Sequence, residues 1–255
     1  MAAAVTRPGA LLTAQWRRLV MLNYEVDPAV LRPRVPRGVE LDAHDGRHFL
    51  SAVAFQFLDT RLLGVPVPFH RDFDEINLRF YVRRRADEGW RRGVVFVKEI
   101  VPRRTLAAVA RIAYGERYVA RPMRHRINLP GEARSGADAP EGLVEYSWHE
   151  RSGPQRVRAT VSGAAETPAE GSHEEFITEH YWGYTARRHG AAVEYHVTHP
   201  RWNVRRADDA ALECDVEAVY GREFAPPLAA APASAFLADG SAVTVHRPTR
   251  MRARG

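Results

Sequence analysis

Within the run DEINLRFYVR, residues 74–83, four chemically distinct polar side chains occupy every second position: Glu75, Asn77, Arg79 and Tyr81. A carboxyl can move a proton, a guanidinium can hold a carboxylate through two parallel hydrogen bonds, and an amide and a phenol can fix orientation. Spacing of two puts all four on one face of a strand. That face is either the solvated side of an antiparallel sheet or the lining of a cavity inside a curled one. Twenty residues on, GVVFVKEIV carries Lys98 beside Glu99. Adjacent strand residues face opposite sides, so one of the two shares the cavity side. A desolvated lysine amine could act as nucleophile or base; the alternative is a strand-edge lysine, or one paired with a carboxylate on a neighbouring strand.

Other chemistry is weakly signalled. The chain has no Gly-rich phosphate loop, G-x-S-x-G, HExxH or CxxC. Its single cysteine, Cys214, sits in ALECDVEAV, which reads as a strand carrying a buried, inert thiol. Among eleven histidines, His44/His48 and His196/His199 are close pairs, but neither forms a ligand motif, so no metal and no cofactor are expected. Of 37 basic residues one is lysine, which leaves 36 arginines, interleaved with 31 acids. The net charge of +6 is therefore dispersed, and without a recognition motif it does not point to nucleic acid. No apolar run approaches the ~18 residues of a membrane helix, and the N-terminus lacks the pattern of a secretory signal. A cytoplasmic protein is expected.

The elements that position these residues follow from patterning. Asp27-Pro28 starts a short helix, closed off by Pro33 and Pro36. Residues 38–42 read as a short strand. In 48–57 Phe49, Val53, Phe55 and Phe57 share a strand face, and residues 62–70 are a proline-rich loop delivering His70 and Arg71. Residues 74–83 and 93–101 form an antiparallel hairpin. Residues 105–118 have a helical stripe, 128–141 read as an exposed loop, and strands resume at 142–150 and 156–163. Ser172-His173-Glu174-Glu175 is a capping box opening a helix with Phe176, Ile177, His180 and Tyr181. Strands follow near 192–199 and 211–220, and after Ala225 comes an alanine- and proline-rich tail. The sum is a single β-rich α+β domain: residues 1–12 a loose tail, 13–247 the domain, 248–255 a disordered end.

W-x-x-L at residues 16–19, LNYEVDP, SAVAFQF, PFHRDFDEINLRFYVRR, RRGVVFVKEIVP and ITEHYWGY, in this order, resemble the uncharacterised DUF2071 family. The likeness runs from about Trp16 to Tyr220. That family resembles a branch of the acetoacetate decarboxylase superfamily, which implies a cone-like central β-barrel with a few flanking helices. The resemblance makes Glu75 the counterpart of a catalytic glutamate. It matches VKEIVPRRTLA to the segment that carries the Schiff-base lysine, with Glu99-Ile100 and Pro102 in register. Allowing a short deletion, Arg103 and Arg104 stand where the decarboxylase has two lysines. Arginine stays protonated and cannot form the imine, although a guanidinium pair can clamp an anion.

These readings converge on a cytoplasmic protein whose central pocket binds a small organic acid. Glu75, Asn77, Arg79, Tyr81, His70 and Glu99 would contact the ligand, with Arg103 and Arg104 as anion clamps. One alternative is a lyase or keto-acid enzyme using Lys98 as amine and Glu75 as general acid/base. Another is an arginine-rich interaction protein. Self-association is left open.

Overall fold

The computed structural model describes residues 9–68, 70–108, 115–129, 142–186 and 192–251. Fifteen strands dominate it. β1 (Ala10–Glu25), β3 (Phe49–Leu62), β5 (Phe73–Ala86) and β6 (Gly89–Val101) are long and pair in the order β6-β5-β3-β1, and the two-residue strands β2 (Glu40–Leu41) and β4 (Val65–Pro66) pair with β5 and β3, respectively. β14 (Ser234–His246) follows β1, and β6 pairs in parallel with β11 (Trp182–Ala186), which pairs with β12 (Ala192–Thr198). Pairing of Val197 and Thr198 with Val245 and Thr244 joins β12 back to β14 and closes a ring of seven strands. From β14 the sheet continues through β13 (Val204–Glu213), β10 (Gly153–Val161) and β9 (Gly142–Glu150) to β8 (Met123–Asn128).

The ring wall separates two apolar clusters, as period-two alternation demands. Outside, Ile76, Leu78, Phe80 and Val82 pack with Leu50, Ala52, Ala54, Val144, Tyr146, Trp148, Val157 and Ala159. Inside, Phe49, Val53, Phe55 and Phe57 share a cluster with Met21, Tyr81, Val94 and Phe236. One side of this inner cluster is covered by the helix His173–Thr178, through Phe176 and Ile177. The helix starts where the sequence predicts, with Ser172 Oγ accepting from the Glu175 amide at 3.1 Å, while the Glu175 carboxylate accepts from the Gly171 amide rather than from that of Ser172; the helix stops before His180.

Curvature comes from bulges. β1 shifts register between Arg17 and Val20, where Arg18 adopts φ 56°, and so bends a 16-residue strand around the ring. Gly240 on β14 lies against this bulge with φ 78°; a Cβ there would overlap the Trp16 carbonyl.

Several sequence expectations change. β1 begins at Ala10, inside the expected N-terminal tail, and Thr249–Arg250 pairs with Val193–Glu194, inside the expected disordered end. The proline-rich segment continues β3 to Leu62 and adds the short strand Val65–Pro66, since edge pairing needs no donor from Pro66. Residues 104–108 are helical, but Tyr118–Ala120 is a strand, β7, beside β6; residues 109–114 lie outside the described residues. The expected loop 128–141 begins at the end of β8, and 130–141 lie outside the described residues. The expected strand 211–220 ends at Glu213. There Asp215 caps a short helix, Val216–Val219, by accepting from the Ala218 amide. The alanine-rich tail holds β14, a central strand.

Candidate functional site

Every strand of the ring sends side chains into one cavity of about 220 Å³. Its wall is apolar: Leu12 and Trp16 from β1, Phe55 and Phe57 from β3, Val94 and Phe96 from β6, Trp182 from β11, Val197 from β12 and Val245 from β14. Polar groups converge on one part of it, which is the arrangement of small-molecule sites.

β5 supplies Glu75, Asn77 and Arg79, and the alternating face is thus a cavity lining rather than a solvated surface. Glu75 is 3 % exposed and Asn77 2 %. Asn77 Nδ2 donates to Glu75 Oε1 at 3.1 Å, and the Tyr118 hydroxyl donates to Oε2 at 3.5 Å. Burial outweighs these bonds and pushes the Glu75 carboxyl up to about 8. Glu99 is 1 % exposed, with Oε2 unpartnered, and burial followed by the nearby Glu116 and Glu75 holds it well above the usual carboxylate range. Its carboxyl hydrogen-bonds to that of Glu116, a contact that needs one proton between the two. Glu116 also accepts from the Tyr195 hydroxyl at 2.6 Å and Thr185 Oγ1 at 3.3 Å. Burial thus favours the neutral form of both Glu75 and Glu99. Among the described residues, no three His, Cys, Asp or Glu are grouped to hold a metal.

β6 decides between Lys98 and Glu99. Val94 and Phe96 line the cavity, and strict alternation would add Lys98. Pairing with β5 instead slips between Leu78–Lys98 and Arg79–Phe96, a bulge at Val97. The extra residue reverses the phase, so Glu99 and Val101 face the cavity. Lys98 lies on the outer face, donates to the Val219 carbonyl and sits 6.0 Å from the Tyr220 ring. Burial lowers its affinity for the proton, but it is the chain's only lysine and it is not in the cavity. The alternative reading that joins Lys98 to Glu75 in one site is corrected on that ground.

Tyr81 also differs from expectation. It is 1 % exposed, its hydroxyl meets Ser51 Oγ at 2.7 Å, and its ring packs on Phe176 and His180, so it supports the inner core rather than the cavity lining. Arg103 and Arg104 are exposed and outside the lining; Thr105 and Leu106 of the same segment line it instead. Arg79 is the one arginine among the described lining residues. His70 lines an exposed margin, where its ring meets Thr105 Oγ1 at 2.5 Å and the Pro68 carbonyl at 2.7 Å.

The sequence did not single out Glu116, Tyr118, Tyr195 or His180 as site residues. Glu116 and Tyr118 fall in the expected helix, and β7 is too short for alternation to reveal it. Tyr195 and Glu116 are held together by Gly183, where a Cβ would overlap the Tyr195 ring; that glycine was the available signal.

Comparison with known proteins agrees with this architecture. The family model of DUF2071, described as an uncharacterized conserved protein, matches residues 13–242. The uncharacterized protein YqjF of Bacillus subtilis (strain 168) is 26 % identical over 199 residues, covering 78 % of this chain and 76 % of its own. Among solved structures, the enduracididine biosynthesis enzyme MppR complexed with pyruvate superposes with a TM-score of 0.66 at 16 % identity, over 98 % of this chain and 93 % of that one. An acetoacetate decarboxylase-like enzyme from Sphingomonas wittichii RW1 gives 0.65 at 14 % identity, over 96 % and 95 %. Acetoacetate decarboxylase from Legionella pneumophila gives 0.62 at 14 %, over 99 % and 92 %. The chain belongs to the DUF2071 family and has the fold of the acetoacetate decarboxylase-like enzymes.

Proposed function

We propose that this chain binds a small organic acid in the ring cavity, carboxylate on Arg79 and apolar body against Trp16, Phe55, Phe57 and Phe96. The observation that carries the reading is the pairing of one guanidinium with buried carboxyls whose proton affinity is raised. Neutral acids do not repel an incoming carboxylate and can donate hydrogen bonds to it. Unpartnered atoms fit this: Arg79 Nε, Asn77 Oδ1 and Glu99 Oε2 are all buried without a hydrogen-bond partner. Leaving such groups unsatisfied costs about 1–3 kcal/mol each, which a ligand would recover. Glu75 lines the same cavity with its carboxyl pushed up to about 8, which supports a role in passing a proton to an oxygen of the ligand. The neighbour MppR, solved with pyruvate, is in keeping with an α-oxo acid. An imine route has no amine here, because the chain's one lysine is on the outer face.

Trp16 and Trp182 line the cavity and serve as reporters. Titration with α-oxo, β-keto and simple aliphatic acids is expected to quench their fluorescence saturably. Arg79→Met is expected to weaken binding at least about tenfold, the usual loss for a charge-assisted bidentate contact. Binding unchanged in Arg79→Met, or no saturable binding by any acid, would overturn the reading.

A further inference from the structure

A second polar group enters the same cavity from outside the strand wall. His180 follows the helix His173–Thr178 and lines the cavity; its side chain is 1 % exposed. Nε2 lies 3.3 Å from Asp42 Oδ2, and Asp42 is itself 4 % exposed. The Arg92 Nε donates to the same oxygen at 2.7 Å, and the Ala43 amide donates to Asp42 Oδ1 at 3.0 Å. Burial works against the Asp42 charge, but the bonds from His180 and Arg92 hold its carboxyl down at about 2. An ionised partner on Nε2 fixes the proton there. Nδ1 is then a bare acceptor, and it is buried with no hydrogen-bond partner. The ring cannot swing away, because Tyr81 at 4.7 Å and Phe176 at 5.1 Å pack against it. Burial also drives the imidazole down to about 4, so it is neutral under ordinary conditions.

Of the other lining residues with unpartnered buried atoms, Asn77, Arg79 and Glu99 among them, the charged donor is Arg79. Its Nη2 donates to the Ile177 carbonyl at 3.4 Å, on the same helix that leads to His180, and its Nε is unpartnered. The cavity thus offers a charged donor and a neutral acceptor, both buried and unused. A bare carboxylate can satisfy only the donor. A carboxylate with a hydroxyl on the adjacent carbon satisfies both, since the hydroxyl has a hydrogen to give.

We infer that His180 is a specificity-determining residue of the cavity, its Nδ1 accepting the hydroxyl hydrogen of an α-hydroxy acid, or of the enol of an α-oxo acid, whose carboxylate lies on Arg79. This deepens the acid-binding reading and rests on it. Asp42 acts as the positioning residue that holds the imidazole in the required tautomer.

The test pairs α-hydroxyisocaproate with isocaproate, which lacks only the hydroxyl. The whole chain is labelled with nitrogen-15 at histidine, and His180→Phe assigns the His180 signals among the eleven histidines. Three results support the inference: an Nδ1 with the shift of an unprotonated nitrogen, its movement on adding the hydroxy acid but not isocaproate, and about tenfold tighter binding of the hydroxy acid. The preference should fall to within about twofold in His180→Phe. Asp42→Asn, which loosens the tautomer without entering the cavity, should reduce it as well, and the wild-type spectra decide the matter if His180→Phe fails to fold. Equal binding of both acids with Nδ1 unmoved would overturn the inference and leave the acid pocket standing. Binding of neither, nor of any other acid, would overturn the pocket reading and the inference with it.

Discussion

Replacing Glu75 by glutamine should stabilise the protein, and by an amount that grows with pH. The folded carboxyl holds its proton until about 8, against 4.5 for the ordinary group. A carboxyl whose proton affinity rises on folding supports the native state fully below its unfolded value. That support is lost as pH rises towards the folded value, because the unfolded chain ionises first. The interval from 4.5 to about 8 corresponds to at most about 5 kcal/mol at ~1.4 kcal/mol per tenfold change in proton affinity. Water entry and adjustment of the neighbouring Glu99 and Glu116 should bring the observed effect nearer ~2 kcal/mol. Glutamine keeps the volume and can still accept from Asn77 Nδ2. Urea unfolding of wild type and Glu75→Gln at pH 4.5, 6 and 8 measures the difference, in which other titrating groups cancel. We expect near equality at the lowest pH and a variant more stable by roughly 2 kcal/mol at the highest. A difference independent of pH, or one that turns against the variant as pH rises, would refute a neutral Glu75.

Further outcomes follow from the same geometry. Borohydride added in the presence of α-oxo or β-keto acids should leave Lys98 unmodified. Lys98→Met should bind acids within about twofold of wild type and lose ~1 kcal/mol of stability with its bond to Val219; an acid-dependent adduct on Lys98 would contradict its outward placement. Gly183→Ala should cost about 3 kcal/mol or prevent folding, since the new Cβ displaces the Tyr195 ring from Glu116; an unchanged melting temperature would be inconsistent with that packing. The half-buried Cys214 thiol, pushed up to about 12 by burial and then by Asp215, should react with a disulfide reagent at pH 8 about a hundredfold more slowly than a free thiol; fast labelling of the folded protein would contradict this.

The alternation of β5 was legible because Ile76, Leu78, Phe80 and Val82 leave no doubt about phase, and it correctly put Glu75, Asn77 and Arg79 on one face. Whether that face met water or a cavity was not legible, because ring closure depends on β12 and β14, distant in sequence. β14 escaped notice since SAFLADGSAVTVH is rich in small residues with little strand preference and carries Gly240. β1 escaped because its bulge at Arg18 breaks the apolar phase. The same device is why the sequence left the choice between Lys98 and Glu99 open: a one-residue bulge at Val97 exchanges the faces of everything after it, and nothing in GVVFVKEIV announces it. The family resemblance carried architecture, while Arg103 and Arg104, expected as an anion clamp, lie outside the cavity, and the arginine that lines it is Arg79, which the alternation had already picked out.

The central claim is that an acid is held by Arg79 above carboxyls that must be neutral. The most direct measurement is the dissociation constant of the tightest-binding acid as a function of pH in wild type and Glu75→Gln, read by tryptophan fluorescence. Affinity should be flat below about 8 and fall about tenfold per pH unit above it, as Glu75 ionises and repels the ligand, with the fall removed in the variant. Affinity that rises with pH, or the same fall in both proteins, would contradict the account.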